Sequence, residues 1–158
     1  YGMISMSLSG NGMRLALTYA FKPYGENLYV TLNVWDYRPW ESKWFLSMTE
    51  SYYHSDDDFD ETRAHPVILS NDGRKMVVGA ASSSGRVDLW YFDDDTHSWK
   101  QTNGGIFVDG VGEGVSLPLL SLSSFGTVIS LSPDGSILSI ADLDDDITGS
   151  VHVVKLKW

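Results

Sequence analysis

The sequence has no cysteine among its 158 residues, so neither a disulfide nor a thiolate metal site is open to it. Basic side chains are scarce: 11 Lys and Arg stand against 21 Asp and Glu, a formal charge of −10. That balance opposes binding to a nucleic-acid backbone or an anionic membrane, both of which attract Lys and Arg. A cation or a basic partner suits it better. No apolar run approaches the roughly 20 residues that a membrane-crossing helix needs. No Asn-x-Ser/Thr sequon occurs, so glycosylation gives no hint of compartment; the lean is to an extracellular or cell-surface setting. Helical periodicity is missing too, because the apolar spacing is two almost throughout.

What the sequence does contain is one short element three times over. Leu69-Ser70-Asn71-Asp72-Gly73 is followed by Met76-Val77-Val78, which reads as strand, tight turn, strand. The turn glycine supplies a positive φ at no steric cost. Leu8-Ser9-Gly10-Asn11-Gly12 precedes Leu15-Ala16-Leu17, and Leu131-Ser132-Pro133-Asp134-Gly135 precedes Ile137-Leu138-Ser139-Ile140. Gly12, Gly73 and Gly135 lie 61 and 62 residues apart. A period of that size is the signature of a repeat architecture.

A second register agrees. Trp35 and Trp44 are nine residues apart, as are Trp90 and Trp99, at the third and fourth strand positions of their units. The expected strands of the first unit are Met3 to Leu8, Met13 to Leu17, Leu28 to Tyr37 and Lys43 to Met48. Ile4, Met6 and Leu8 alternate with small polar residues, which predicts that they form the buried face of their strand. Glu50 to Arg63, with Asp56, Asp57, Asp58, Asp60 and Glu61, reads as a solvated loop, and Asn103 to Phe125 as a Gly- and Ser-rich connector. The predicted fold is all-β: about two and a half four-stranded antiparallel blades of a β-propeller, with units at 1–63, 64–124 and 125–158. The same strand pattern also permits a packed antiparallel β-sandwich. A blade presents apolar faces to its neighbours, so the expectation is a piece of a larger propeller, or copies that cover each other's open faces.

The unit resembles propeller repeats related to the FG-GAP and WD-type classes, found in multi-repeat proteins of algae and bacteria. Ser124-Phe125-Gly126-Thr127-Val128-Ile129-Ser130-Leu131-Ser132-Pro133-Asp134-Gly135 carries the opening of that pattern. Val78-Gly79-Ala80, Gly85-Arg86-Val87-Asp88-Leu89-Trp90-Tyr91 and Trp99-Lys100-Gln101 carry the remainder. The first unit departs from it, with Asn11 in place of the turn Asp. The resemblance implies a binding or scaffolding surface rather than a particular chemistry. It also implies calcium as a candidate ligand, since integrin-type repeats hold it in Asp-rich loops.

The candidate sites follow from residue type and spacing. Asp142, Asp144 and Asp146 fall at i, i+2 and i+4, a spacing that can converge carboxylates on Ca²⁺. The plain alternative is a solvated acidic loop. Tyr37, Arg38 and Trp40 share one turn, and with Tyr52 and Tyr53 they stand outside the tryptophan register, as a contact patch for a protein or a sugar would. His54, His65, His97 and His152 lack zinc-ligand spacing, and the run Asp109 to Gly114 leads into Pro118 rather than into the helix a phosphate loop needs. Nothing singles out a catalytic set. The functional expectation is therefore non-catalytic protein interaction or scaffolding. The alternatives are a structural subunit of a filament, shell or multi-subunit assembly, and a glycan-binding or glycan-hydrolysing propeller. A thermal melt separates the two readings of the Asp142 loop: a calcium site loses melting temperature on addition of chelator, and a solvated loop does not.

Overall fold

The computed structural model describes residues 4–21, 28–54, 65–80, 86–102, 106–108, 115–117, 128–142 and 150–158. These form thirteen strands and, among the described residues, no helix. The first sheet is a meander of β1 (Ile4–Leu8), β2 (Arg14–Phe21), β3 (Leu28–Arg38) and β4 (Lys43–His54). The second holds β5 (Val67–Leu69), β6 (Lys75–Ala80), β7 (Arg86–Asp93) and β8 (Ser98–Gln101), with β9 (Ile106–Val108) and β10 (Val115–Leu117) added. The third is β11 (Val128–Leu131), β12 (Ile137–Asp142) and β13 (Ser150–Lys155). All pairings are antiparallel except that of β9 with β10.

Three β-hairpins share one turn chemistry. In the first, the Ser9 hydroxyl donates to Asn11 Oδ1 at 2.7 Å and accepts the Arg14 amide at 2.9 Å, while Asn11 Oδ1 also takes the Met13 amide. Ser70 with Asp72 and Ser132 with Asp134 make the same bonds, with hydroxyl–carboxylate distances of 2.6 Å. Each turn ends on a glycine with φ of 70 to 71°, and neither Asn11 nor either Asp is left-handed. The loop is thus a turn closed by an Asx side chain, followed by one left-handed glycine. It pins the register at Leu8 opposite Leu15, Leu69 opposite Met76, and Leu131 opposite Leu138.

Register decides faces, since successive strand side chains point to opposite sides. Ala16, Leu32 and Val34 of the first sheet pack against Val67, Leu69, Met76, Val78 and Trp90 of the second. Val77, Val87 and Leu89, on the other face of the second sheet, pack against Ile129, Leu138, Ile140, Val154 and Leu156. Both layers are closed to water: Leu32, Met76, Val77, Leu138 and Ile140 are fully buried. Each such side chain contributes about 1.5–3 kcal/mol.

The structure corrects several expectations. Alternation in β1 predicts a buried face of Ile4, Met6 and Leu8, yet Met6 and Leu8 are 69% and 57% exposed. The inward side chains are Ser5 and Ser7, whose hydroxyls accept the Val67 and Leu69 amides at 3.2 and 3.0 Å. Alternation separates two faces without saying which has a neighbour. β4 runs on to His54, so Glu50 to His54 is strand rather than loop, because it pairs with β3 back to Leu28. The expected connector contains β9 and β10. β9 continues along β7 beyond β8, opposite Arg86 and Val87. Residues 55–64, 81–85 and 109–114, which include the acidic run and the Gly-rich loop, lie outside the described residues.

The two turn glycines of the first sheets should respond differently to alanine. At Gly12 the new methyl meets no atom within 4 Å, so Gly12→Ala carries only the left-handed backbone penalty of about 1–2 kcal/mol. At Gly73 the methyl lies 3.1 Å from Ser9 Cβ and 3.2 Å from Arg14 Cβ. Urea denaturation should show the larger loss for Gly73→Ala; equal losses would mean that the first two turns do not press on each other.

Candidate interaction surface

The stacked sheets are bonded at their turns as well as packed. The Asn11 amide donates to Asn71 O at 3.0 Å, and the Asn71 amide to Pro133 O at 2.7 Å. Two cations, each two positions after a turn glycine, reach to the next turn: Arg14 Nη1 bonds Gly73 O at 2.7 Å, and Lys75 Nζ bonds Asp134 O at 2.8 Å. Arg14 is also paired within its own sheet with Asp36 at 2.6 Å and lies 4.1 Å above the Phe92 ring, so it joins the first two sheets by the Gly73 bond and by cation–π contact. Asn11, Asn71, Asp72, Pro133 and Asp134 line a shallow open depression of about 530 Å³ along this row.

Among the described residues, two broad faces have no neighbour in the stack. The outer face of the first sheet carries Met6, Leu8, Phe21 and Leu46, each more than half exposed, with Trp44 at 40%. Half-buried Leu15, Leu17 and Trp35 lie between them. The outer face of the third sheet carries Val128, Val151 and Val153, at 54, 68 and 69%. The repeat pattern implies that some faces are open but does not say which residues are on them. A signal is present at Val151 to Val154, where His152 alone interrupts an apolar run and so gives both sides of the strand apolar residues.

The residues singled out in sequence divide between places. Tyr37 and Trp44 are cross-strand partners with ring centroids 5.2 Å apart, and Arg38 lies 4.1 Å above the Phe45 ring and bonds Glu41 at 3.2 Å. Trp40, in the turn between β3 and β4, is 78% exposed. These form one aromatic end of the first sheet. Tyr52 is apart from them, eight residues along β4 from Trp44, or roughly 25 Å of strand. It packs on the layer between the first two sheets, its ring 6.3 Å from that of His65. Tyr53 pairs with Tyr29 through the backbone of β4. Asp142 closes β12 opposite Ser150, while Asp144 and Asp146 lie outside the described residues. Among the described residues no cluster of three or more His, Asp or Glu is placed to hold a metal.

The tryptophan register has two outcomes. Trp90 is 7% exposed and Trp99 packs beside it, whereas Trp44 stands at the open face. The side chains occupy matching strand positions; only the second sheet has a sheet laid over them. Of the four histidines, His65 is buried and its carbonyl accepts the Thr18 hydroxyl, and His152 is half-buried with Nε2 at 3.1 Å from Ser150 Oγ.

The turn carboxylates are held ionised by their bonds. The Ser132 hydroxyl, with the amide and hydroxyl of Ser136, brings Asp134 down from 3.8 to about 2. Burial pushes Asp72 upward, but the Ser70 hydroxyl, the Arg74 amide and the charges of Lys75 and Arg74 outweigh it, and the net shift is downward. The Lys100 ammonium against Asp93 likewise lowers that carboxyl to about 2. A carboxyl with a depressed folded pKa stabilises the fold above its unfolded pKa and loses that effect as pH falls through the folded value. Denaturation midpoints measured from pH 6 downward should therefore drop between about pH 4 and pH 2, and Asp134→Asn should show a smaller drop. An unchanged acid profile in that variant would remove the turn carboxylate from the account.

No family model matches the chain, and no curated protein does. Among solved structures it is similar to TolB from Acinetobacter baumannii, at 12% identity and a TM-score of 0.36, over 98% of this chain and 41% of that one. The chain thus spans less than half the length of that neighbour.

Proposed function

We infer that the chain is a segment of a β-propeller serving as a non-catalytic protein-interaction or scaffolding module, with its two outer sheet faces as the working surfaces. One observation carries this reading. Met6, Leu8, Phe21 and Leu46 stand on one continuous sheet face and are each more than half exposed. Contiguous exposed apolar patches of this kind mark interaction sites. The turn row supports the propeller reading, because it joins three successive sheets at one end, as blades around an axis would be joined. Calcium at the Asp142 loop stays part of the proposal through the melt described above.

A glycan-binding role is the second reading, favoured by the exposed Trp40 beside the Tyr37–Trp44 pair. Flat aromatic faces suit the apolar faces of sugar rings.

Side-chain oxidation separates the two. Met13, in the first turn, is 44% exposed and serves as an open control; Met76 is fully buried. In material recovered from the native source, hydroxyl-radical footprinting should oxidise Met6 and Trp44 much more slowly than Met13, because a protein covers their face. Oxidation of Met6 faster than Met13, in line with its exposure in the single chain, would overturn the interaction reading. Protection confined to Trp40 in the presence of oligosaccharide would favour the glycan one.

A further inference from the structure

The two open faces are not alike, and their difference matches the two sides of a contact the molecule already makes. The first and second sheets meet as a small face against a large one. The first sheet offers Ser5, Ser7, Ala16 and Thr18 on its first two strands, with Leu32 and Val34 on the third. The second answers with Val67, Leu69, Met76, Val78 and Trp90.

Counted from the turn glycines, the outer face of the third sheet has the small pattern at three of four places, with Val128 standing where Ser5 does. Ser130 stands where Ser7 does, five residues before its glycine. Ser139 and Ala141 stand where Ala16 and Thr18 do, and they pair with Val153 and Val151 as those residues pair with Val34 and Leu32. The outer face of the first sheet has the large pattern: Met6, Leu8, Leu15 and Leu17 stand where Val67, Leu69, Met76 and Val78 do, and Trp35 where Trp90 does.

We propose that two copies of this chain associate head to tail, the outer face of the third sheet of each lying on the outer face of the first sheet of the other. The proposal rests on the interaction reading above and names its partner. The contact continues the existing stack by its own rule. Ser130 Oγ takes the place of Ser7 Oγ and accepts the Leu8 amide of the other copy, as Ser7 accepts that of Leu69. The arrangement also closes. The described residues of one copy form three sheets, so those of two copies form six, within the roughly four to eight at which radial arrays of four-stranded sheets form rings. A head-to-tail contact that closes leaves no open face, whereas one that does not close grows into a filament.

The test is the mass of the purified chain by light scattering. Two copies, twice 17.6 kDa, are expected. Leu8→Lys and Ser130→Glu lie on opposite faces, both at exposed positions that leave the inner layers intact. Each alone should bring the mass down to that of one chain. An equal mixture of the two should restore the double mass, since one contact is then unaltered and the other sets the introduced ammonium against the introduced carboxylate. Because the chain has no cysteine of its own, a mixture of Leu8→Cys and Ser130→Cys proteins should also oxidise to a crossed disulfide between the two positions. A single-chain mass for the unaltered protein overturns the proposal and points to further sheets of another polypeptide segment as the covering. A mass well above two copies overturns the closed ring in favour of a filament. A double mass that the mixture fails to restore, or disulfides joining like positions in place of the crossed one, overturns the head-to-tail pairing. Single-chain mass together with slow Met6 oxidation in native material would leave the interaction reading standing while removing this one.

Discussion

The structure depends on the register that the three Asx–Gly turns impose. A one-residue slip in any β-hairpin would carry its whole apolar set to the opposite face. The serine hydroxyl, the Asx oxygen and the left-handed glycine allow only one way to join the strands, with Leu8 opposite Leu15 and its two counterparts. Once register is set, the small residues of β1 and β2 face the second sheet and the large ones face away. The layers between sheets follow from that choice.

The turns have a second use, because the groups that do not close them reach outward. Backbone amides of Asn11 and Asn71 and the side chains of Arg14 and Lys75 all find carbonyl oxygens in the following turn. The acceptors are turn carbonyls, and each finds its donor in the preceding sheet. At the third sheet the series changes: Pro133 has no amide to donate, and Ile137 stands where Arg14 and Lys75 do. The turn-to-turn bonds present at the two junctions cannot all continue past the third sheet, so apolar packing and the serine at position 130 would have to carry any contact there.

Exposure of the aromatic residues follows from the same stacking. Trp99 and Trp44 hold the same place in their units, yet Trp99 packs against the layer between two sheets and Trp44 stands 40% exposed at the open face. Their chemistry is the same; the difference is the presence of a sheet over one face.

The sequence by itself determined the all-β class, the three β-hairpins and the alternation of the strands, because turn chemistry and period-two spacing are local properties. It also pointed to Tyr37, Arg38 and Trp40 as neighbours, since they share one turn. It did not determine which face of β1 is covered, where Tyr52 points relative to Trp40, or that β9 continues along β7. Those depend on which sheet lies beside which, and a period of two labels the two sides of a strand equally. Tertiary structure alone decided that Ser5 and Ser7 face inward and Met6 and Leu8 outward: hydroxyls satisfy the free amides of β5 next to them, and among the described residues no sheet lies over the opposite side.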